Sequence, residues 1–241
     1  RQILSIGRTH PFGRDAQLLM ENGIPAYIQI FNEPSDFREW KRERPRDYLE
    51  RWSSLWAEKA HDVYNSGGYP GLQCLSLEEA EAAIDALGAS SPVWRRVWFC
   101  SHNYGLNHPP KWQGDLWSVL GFQFFASLFQ GRLGFVPPII CGEGGWLYGA
   151  YNDHNFPRVG AELHARYTRS MFRWFRKGVL SNGEPLPDYL FAVCPWVLSD
   201  FSDEAWYGYT TKEMTIWAVK SVKPFVRARA AGAQYGGGSD A

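Results

Sequence analysis

The feature that most constrains this chain is a recurrence of short runs that are apolar almost throughout, each followed by a longer amphipathic stretch. The runs lie at 2–6, 26–31, 71–75, 97–101, 138–141 and 189–197. A strand with one wet face alternates apolar and polar residues, whereas a strand covered on both faces does not, so these runs predict parallel strands. Helical patterns at 14–22, 45–66, 77–87, 117–133, 162–177 and 212–229 fall between and after them. Several of these close on glycine, as in Asn22-Gly23, Ser66-Gly67-Gly68, Leu87-Gly88 and Lys177-Gly178, where a left-handed residue ends a helix. Strand–helix alternation of this kind predicts an α/β fold, with one domain over 1–229. The tail at 230–241, AAGAQYGGGSDA, has the composition of a flexible segment.

Charge and composition exclude several roles. Lys plus Arg number 25 and Asp plus Glu number 25, so no net field draws the chain to nucleic acid or to an anionic membrane. No apolar run reaches the roughly 20 residues that span a bilayer. The four cysteines, Cys74, Cys100, Cys141 and Cys194, each sit inside an apolar run, without CxxC or His/Cys zinc spacing. They read as buried, unpaired thiols, which favours a reducing compartment, and localisation is otherwise unassigned. The opening RQILSIG reads like the middle of a domain. Twelve tryptophans suit either a core or sugar binding, because pyranose C–H faces pack on flat rings.

Loops at 37–46, 147–161 and 199–209 leave the C-terminal ends of predicted strands, the end where barrels and open α/β sheets place their sites. Two glutamates occupy matching positions there: Asn32-Glu33-Pro34 after one run and Gly142-Glu143-Gly144-Gly145-Trp146 after another. One carboxylate after a strand is an ordinary capping or loop group. A pair fits glycosidic cleavage with retention, in which one carboxyl protonates the leaving oxygen and the other attacks the anomeric carbon. Residues 33 and 143 stand 110 apart, which at roughly 31 residues per βα unit spans three units.

Asn-Glu at one strand end and Glu three strands later resembles the clan A glycoside hydrolases, whose acid/base and nucleophile lie on strands four and seven. Ser101-His102-Asn103-Tyr104 is similar to the His-X-Tyr motif of family 5 enzymes, and Cys194-Pro195-Trp196 to their strand-eight tryptophan. The resemblance covers Phe31 to Trp196. It implies a (β/α)8 TIM barrel, N-terminally incomplete here, with about six βα units present. It implies Glu33 as acid/base, Glu143 as nucleophile, Tyr104 as donor to the nucleophile, Asn32 on the sugar 2-hydroxyl and Trp196 under the sugar. His102 would hold the acid/base or the sugar. For Glu33 to carry a proton near neutral pH, its site should raise its pKa.

Gly144-Gly145 is expected to let backbone approach the sugar before Trp146 presents a ring. Trp40, Trp112 and Trp206 are candidate sugar platforms, while Trp52, Trp56, Trp174 and Trp217 fall in amphipathic helices and read as core. Asp200, Asp203 and Glu204 match no calcium-loop spacing. Asn107-His108-Pro109-Pro110 lacks further ligands in sequence, and neither metal nor cofactor is expected. The expected partner is an oligo- or polysaccharide. The first two βα units have no counterpart, which calls for a complementary N-terminal segment or a neighbouring chain, and predicts that strands 2–6 and 189–197 do not pair. The alternatives are a non-catalytic carbohydrate-binding barrel and a fragment that assembles with a complementary chain.

Overall fold

The computed structural model describes residues 9–40, 43–196 and 209–223. Five strands, β1 (Tyr27–Ile30), β2 (Tyr69–Gln73), β3 (Trp98–Tyr104), β4 (Ile139–Gly145) and β5 (Leu190–Val193), form one parallel sheet. Its order follows the chain, β1-β2-β3-β4-β5, without reversal. The helices are α1 (Phe12–Glu21), α2 (Tyr48–Asn65), α3 (Leu77–Leu87), α4 (Phe122–Leu133), α5 (Ala161–Lys177) and α6 (Tyr209–Lys220). The molecule is therefore mixed α/β, with a parallel sheet alternating with helices. Among the described residues β1 and β5 each pair on one side only. The expected strand at 2–6 and the acidic segment at 200–204 lie outside the described residues.

The chain groups into two compact units. One is drawn from Arg1–Gly105, Trp112–Gly145 and Pro187–Trp196, and holds the sheet; the other is drawn from Leu106–Lys111, Trp146–Leu186 and Val197–Ala241.

In the first unit Ile30, Leu72, Phe99 and Ile139 are fully buried, one from each of β1 to β4. Helix α2 buries Trp52, Trp56, Ala60 and Val63, a stripe at the spacing of one helix face. Trp56 donates its indole N–H to the Gly71 carbonyl at 3.2 Å and tilts against Trp94, which meets Phe129 of α4. Burying one such ring is worth roughly 4–6 kcal/mol before entropy is subtracted. Helix α3 begins in a reciprocal cap: Ser76 accepts from the Glu79 N–H, and the Glu79 carboxylate accepts from the N–H groups of Ser76 and Leu75.

The second unit is held by satisfied polar groups. Asn107 donates to the carbonyls of Asp153 and Phe156 at 2.7 and 3.1 Å, and accepts from the N–H groups of Asn152 and Asp153. His108 Nε2 lies 3.2 Å from Asp153 Oδ2. This stretch, unassigned by sequence, fastens the long 147–161 segment. His164 on α5 donates from Nε2 to the Trp146 carbonyl and accepts at Nδ1 from the Thr215 hydroxyl of α6, both at 2.8 Å.

Trp217 corrects the expectation that it is core, being 70% exposed. Thr215 is the buried residue, and two positions on along a helix turn a side chain by roughly 200°, to the opposite face.

Candidate active site

The site is assembled at the C-terminal ends of β1 to β4, all within the first unit. The chain leaves β1 through two non-glycine residues with positive φ, Phe31 at 64° and Glu33 at 37°. Such conformations cost on the order of 1–3 kcal/mol and persist where the surroundings hold them. Gln73, at the end of β2 and fully buried, supplies that hold, its side-chain carbonyl accepting the Glu33 backbone N–H. Phe31 meets Phe12 edge-on at 5.8 Å.

The pairing of β3 with β4 places the other groups. Ser101 pairs with Cys141, but His102 pairs with Glu143, so Gly142 is an extra residue bulged out of β4. Side chains alternate along a strand, and a one-residue slip exchanges its faces. Without the bulge Glu143 would lie opposite Asn103, on the face away from His102 and Tyr104. A side chain there would displace its neighbour, because a Cβ at Gly142 would stand 2.3 Å from Cys100 Sγ. Gly144 also lets β3 come close, because a Cβ there would lie 2.3 Å from the Asn103 carbonyl oxygen.

Four side chains converge. His102 Nδ1 lies 2.8 Å from Glu33 Oε1. The Tyr104 hydroxyl stands 2.9 Å from Glu143 Oε2 and 3.1 Å from Glu33 Oε1. His102 Nε2 is 3.8 Å from Glu143 Oε1 and has no hydrogen-bond partner among the described residues, although the side chain is only 1% exposed. Tyr104 has one proton and faces two carboxylates. Its single proton serves either carboxylate, with the shorter bond to Glu143 and the longer to Glu33.

The electrostatics depart from the sequence expectation. Glu33 was expected to have a raised pKa, yet the His102 hydrogen bond holds its carboxyl below the ordinary carboxylate range. Burial opposes that pull, and the Tyr104 bond adds to it. Burial, first, and then the charges of Glu143 and Glu33 push the Tyr104 phenol strongly upward, so it remains a neutral donor.

The remaining sequence candidates scatter. Asn32 is half-buried and accepts from Gln29 at 3.2 Å. Trp196 is half-buried and its backbone N–H donates to the Gly144 carbonyl, tying the segment after β5 to β4. Trp40 is not an open platform: it is buried, donates to the Pro34 carbonyl and packs edge-on against Tyr48. Trp146, in the second unit, is buried as well, donating to the His108 carbonyl and packing on Tyr167. Trp206 lies outside the described residues. Cys74, Cys100 and Cys141 are buried and free as expected, but Cys194 is exposed.

Three residues that the sequence did not single out complete the site. Gln73 holds the Glu33 backbone. Arg38 Nη2 comes within 3.8 Å of Glu33 Oε2 and binds Asp36 through Nε at 2.7 Å. Trp117, 46% exposed, lies parallel to the Tyr104 ring with centroids 6.4 Å apart. An arginine in a charged loop and an aromatic at a helix start carry no sequence signal of such placement.

Glu33, His102 and Glu143 are also the one set among the described residues able to offer three donor atoms to a metal ion, all within 4.8 Å of one another. First-row metals at about 2.1 Å hold ligands no more than about 4.2 Å apart, so a cation would have to draw these groups inward.

No family model, no curated protein and no solved structure matches the chain.

Proposed function

We propose that this chain is a retaining glycoside hydrolase of a (β/α)8-barrel type, cleaving β-glycosidic bonds in an oligo- or polysaccharide with Glu33 as acid/base and Glu143 as nucleophile. The observation that carries this reading is that two carboxylates from strand ends three strands apart reach one phenol hydroxyl, with an oxygen of each within 4.8 Å of the other. Retaining pairs stand about 5–5.5 Å apart, and inverting pairs about 6.5–9.5 Å to admit a water. The barrel is supported by curvature. Strands β1 and β4 would lie roughly 14 Å apart in a flat sheet, at about 4.8 Å per strand, and their carboxylates meet. A strand order that never reverses agrees with it.

In the first step Glu143 attacks the anomeric carbon as Glu33 gives its proton to the leaving oxygen. In the second, Glu33 takes a proton from water, which displaces Glu143 and releases the sugar with its configuration kept. Tyr104 donates to Glu143 while that group is anionic. The protonated form of Glu33 is the one the first step needs, and His102 lowers its pKa. For substrates with poor leaving groups, kcat/KM therefore falls as pH rises through a range more acidic than an unperturbed glutamate would set.

Replacement of each glutamate by alanine tests the assignment. Glu143→Ala is expected to lose turnover by roughly 10⁴-fold or more, and added azide should yield a glycosyl azide of inverted configuration. Glu33→Ala should spare activated aryl glycosides, with azide giving the retained product. Equal loss on activated and unactivated substrates for Glu33→Ala, with Glu143→Ala sparing the activated ones, would reverse the scheme. A second reading, a carbohydrate-binding protein without turnover, is favoured by the lowered pKa of Glu33, which keeps the acid ionised; a panel of aryl glycosides separates the two. Completion of the barrel by a complementary segment is tested by native mass measurement.

A further inference from the structure

The two oxygens of Glu33 meet different surroundings. Oε1 faces His102 and Tyr104, the side of Glu143, whereas Oε2 faces Arg38. Beyond Arg38 opens a groove of about 1010 Å³, lined by the loop after β1 and by Leu75 after β2. Its floor is ordered. Asp36 accepts the Arg38 backbone N–H at 2.8 Å and so fixes a turn over Phe37–Glu39, which leaves the Phe37 ring 65% exposed. Arg44 is fixed from two sides, donating to the Ser35 carbonyl at 2.9 Å and lying 4.6 Å over the Tyr48 ring. Arg44 makes no close ion pair among the described residues, although its charge also acts on the buried Glu79 carboxylate, and its remaining N–H groups can donate to an outside acceptor.

Sugar bound for attack by Glu143 lies on the Oε1 side, and the group that Glu33 protonates departs past its carboxyl. We infer that this groove is the leaving-group subsite, and that it takes a pyranosyl unit with its C–H face on Phe37 and its oxygens accepting from Arg44. The direction of departure rests on the hydrolase reading above; the groove's affinity for sugar does not. The volume is at the upper end for a site holding one drug-sized ligand, which admits more than one ring and suits an oligosaccharide better than a small aglycone. The acceptor oxygens belong to sugar hydroxyls or to a uronate carboxylate, chemistries that Arg44 serves alike.

The test compares substrates that fill the groove with substrates that leave it empty. Cellotetraose, mannotetraose and xylotetraose would be paired with the β-biosyl fluorides of the same sugars, whose leaving group is a single fluoride. Phe37→Ala is expected to lower kcat/KM on the preferred tetraose by 10- to 100-fold, and to exceed its effect on the matching fluoride by at least tenfold. Equal losses on the two would overturn the assignment while leaving the hydrolase intact. Calorimetric binding of the same tetraoses covers the case of no turnover. Binding by the unaltered chain that is lost in Phe37→Ala keeps the groove and removes the hydrolase; equal binding by both, or none by either, overturns the groove. Arg44→Gln separates the acceptors. A tenfold larger loss for a glucuronic-acid-bearing xylotetraose than for xylotetraose marks a carboxylate, similar losses mark hydroxyls, and no loss for either removes Arg44 from the subsite.

Discussion

His102 in the first unit and His164 in the second are both buried, and their surroundings treat them differently. His164 spends both ring nitrogens on neutral partners, a carbonyl and a hydroxyl. Burial pushes its pKa down to about 4, so near neutrality it is an uncharged crosslink between α5 and α6. His102 spends one nitrogen on a carboxylate and leaves the other buried without a partner among the described residues, 3.8 Å from a second carboxylate. A half-satisfied buried group costs stability, and a fold keeps one where the open valence serves something else. The difference separates a residue that holds elements together from one that adjusts a neighbour's charge.

The sharpest break of that comparison is His102→Ala. If the imidazole positions Glu33 as well as tuning it, the rate on unactivated substrates at its acid plateau should fall by about 10²- to 10³-fold, within the range of general acid–base effects. Loss of its hydrogen bond should also let the Glu33 pKa rise, so the alkaline limb of the pH–rate profile moves to higher pH. A loss of activity with an unmoved profile would make His102 merely structural.

For His164 the expected effect is on stability, and its sign follows from linkage. The folded pKa lies below the unfolded one of about 6.5. As pH falls from about 6.5 through about 4, the unfolded chain takes up a proton that the folded chain refuses, and stability falls by roughly 3 kcal/mol at most. Urea unfolding between pH 7 and 4.5 should show this component in the native sequence and lack it in His164→Gln. The same slope in both would remove His164 from the account.

The smallest effect is expected at Gln73. Leucine there removes the acceptor for the Glu33 N–H, a cost of about 1–3 kcal/mol, but it also removes Gln73 Nε2, which has no partner among the described residues, and that returns much of the cost. Stability should change by about 1 kcal/mol or less, while activity drops about tenfold as the left-handed turn at Glu33 relaxes. A change in melting temperature matched by no loss of rate would show that Gln73 supports the fold and not the acid.

Much of the frame was legible in the residues. Runs such as Ile139-Ile140-Cys141 are apolar because both faces of their strand are covered, and all five strands of the described sheet fall at runs read from the sequence. The glutamate pair was legible because two carboxylates occupy matching strand ends three units apart, although either alone is an ordinary loop group. What escaped was set by distance along the chain or by parity. Trp40 reads as a rim platform and Trp146 as a ring presented to the sugar, yet each is drawn inward by a carbonyl, on Pro34 and on His108, that no local pattern predicts. The fall in the Glu33 pKa depends on His102, 69 residues away. Trp217 sits in an amphipathic helix, but which of its faces is covered depends on tertiary packing, with Thr215 buried instead.

The bulge at Gly142 makes the chemistry of β4 a matter of counting. A pleated strand labels its residues odd and even, and one surplus residue swaps the labels for everything downstream. Loss of the single codon for Gly142 would leave every functional side chain encoded and turn Glu143 away from Tyr104. In a lineage, such a strand can pass between a polar cleft and an inert seam through one insertion or deletion, with no amino acid exchanged. Residue identity alone would not reveal which state a descendant occupies; the length of the strand would.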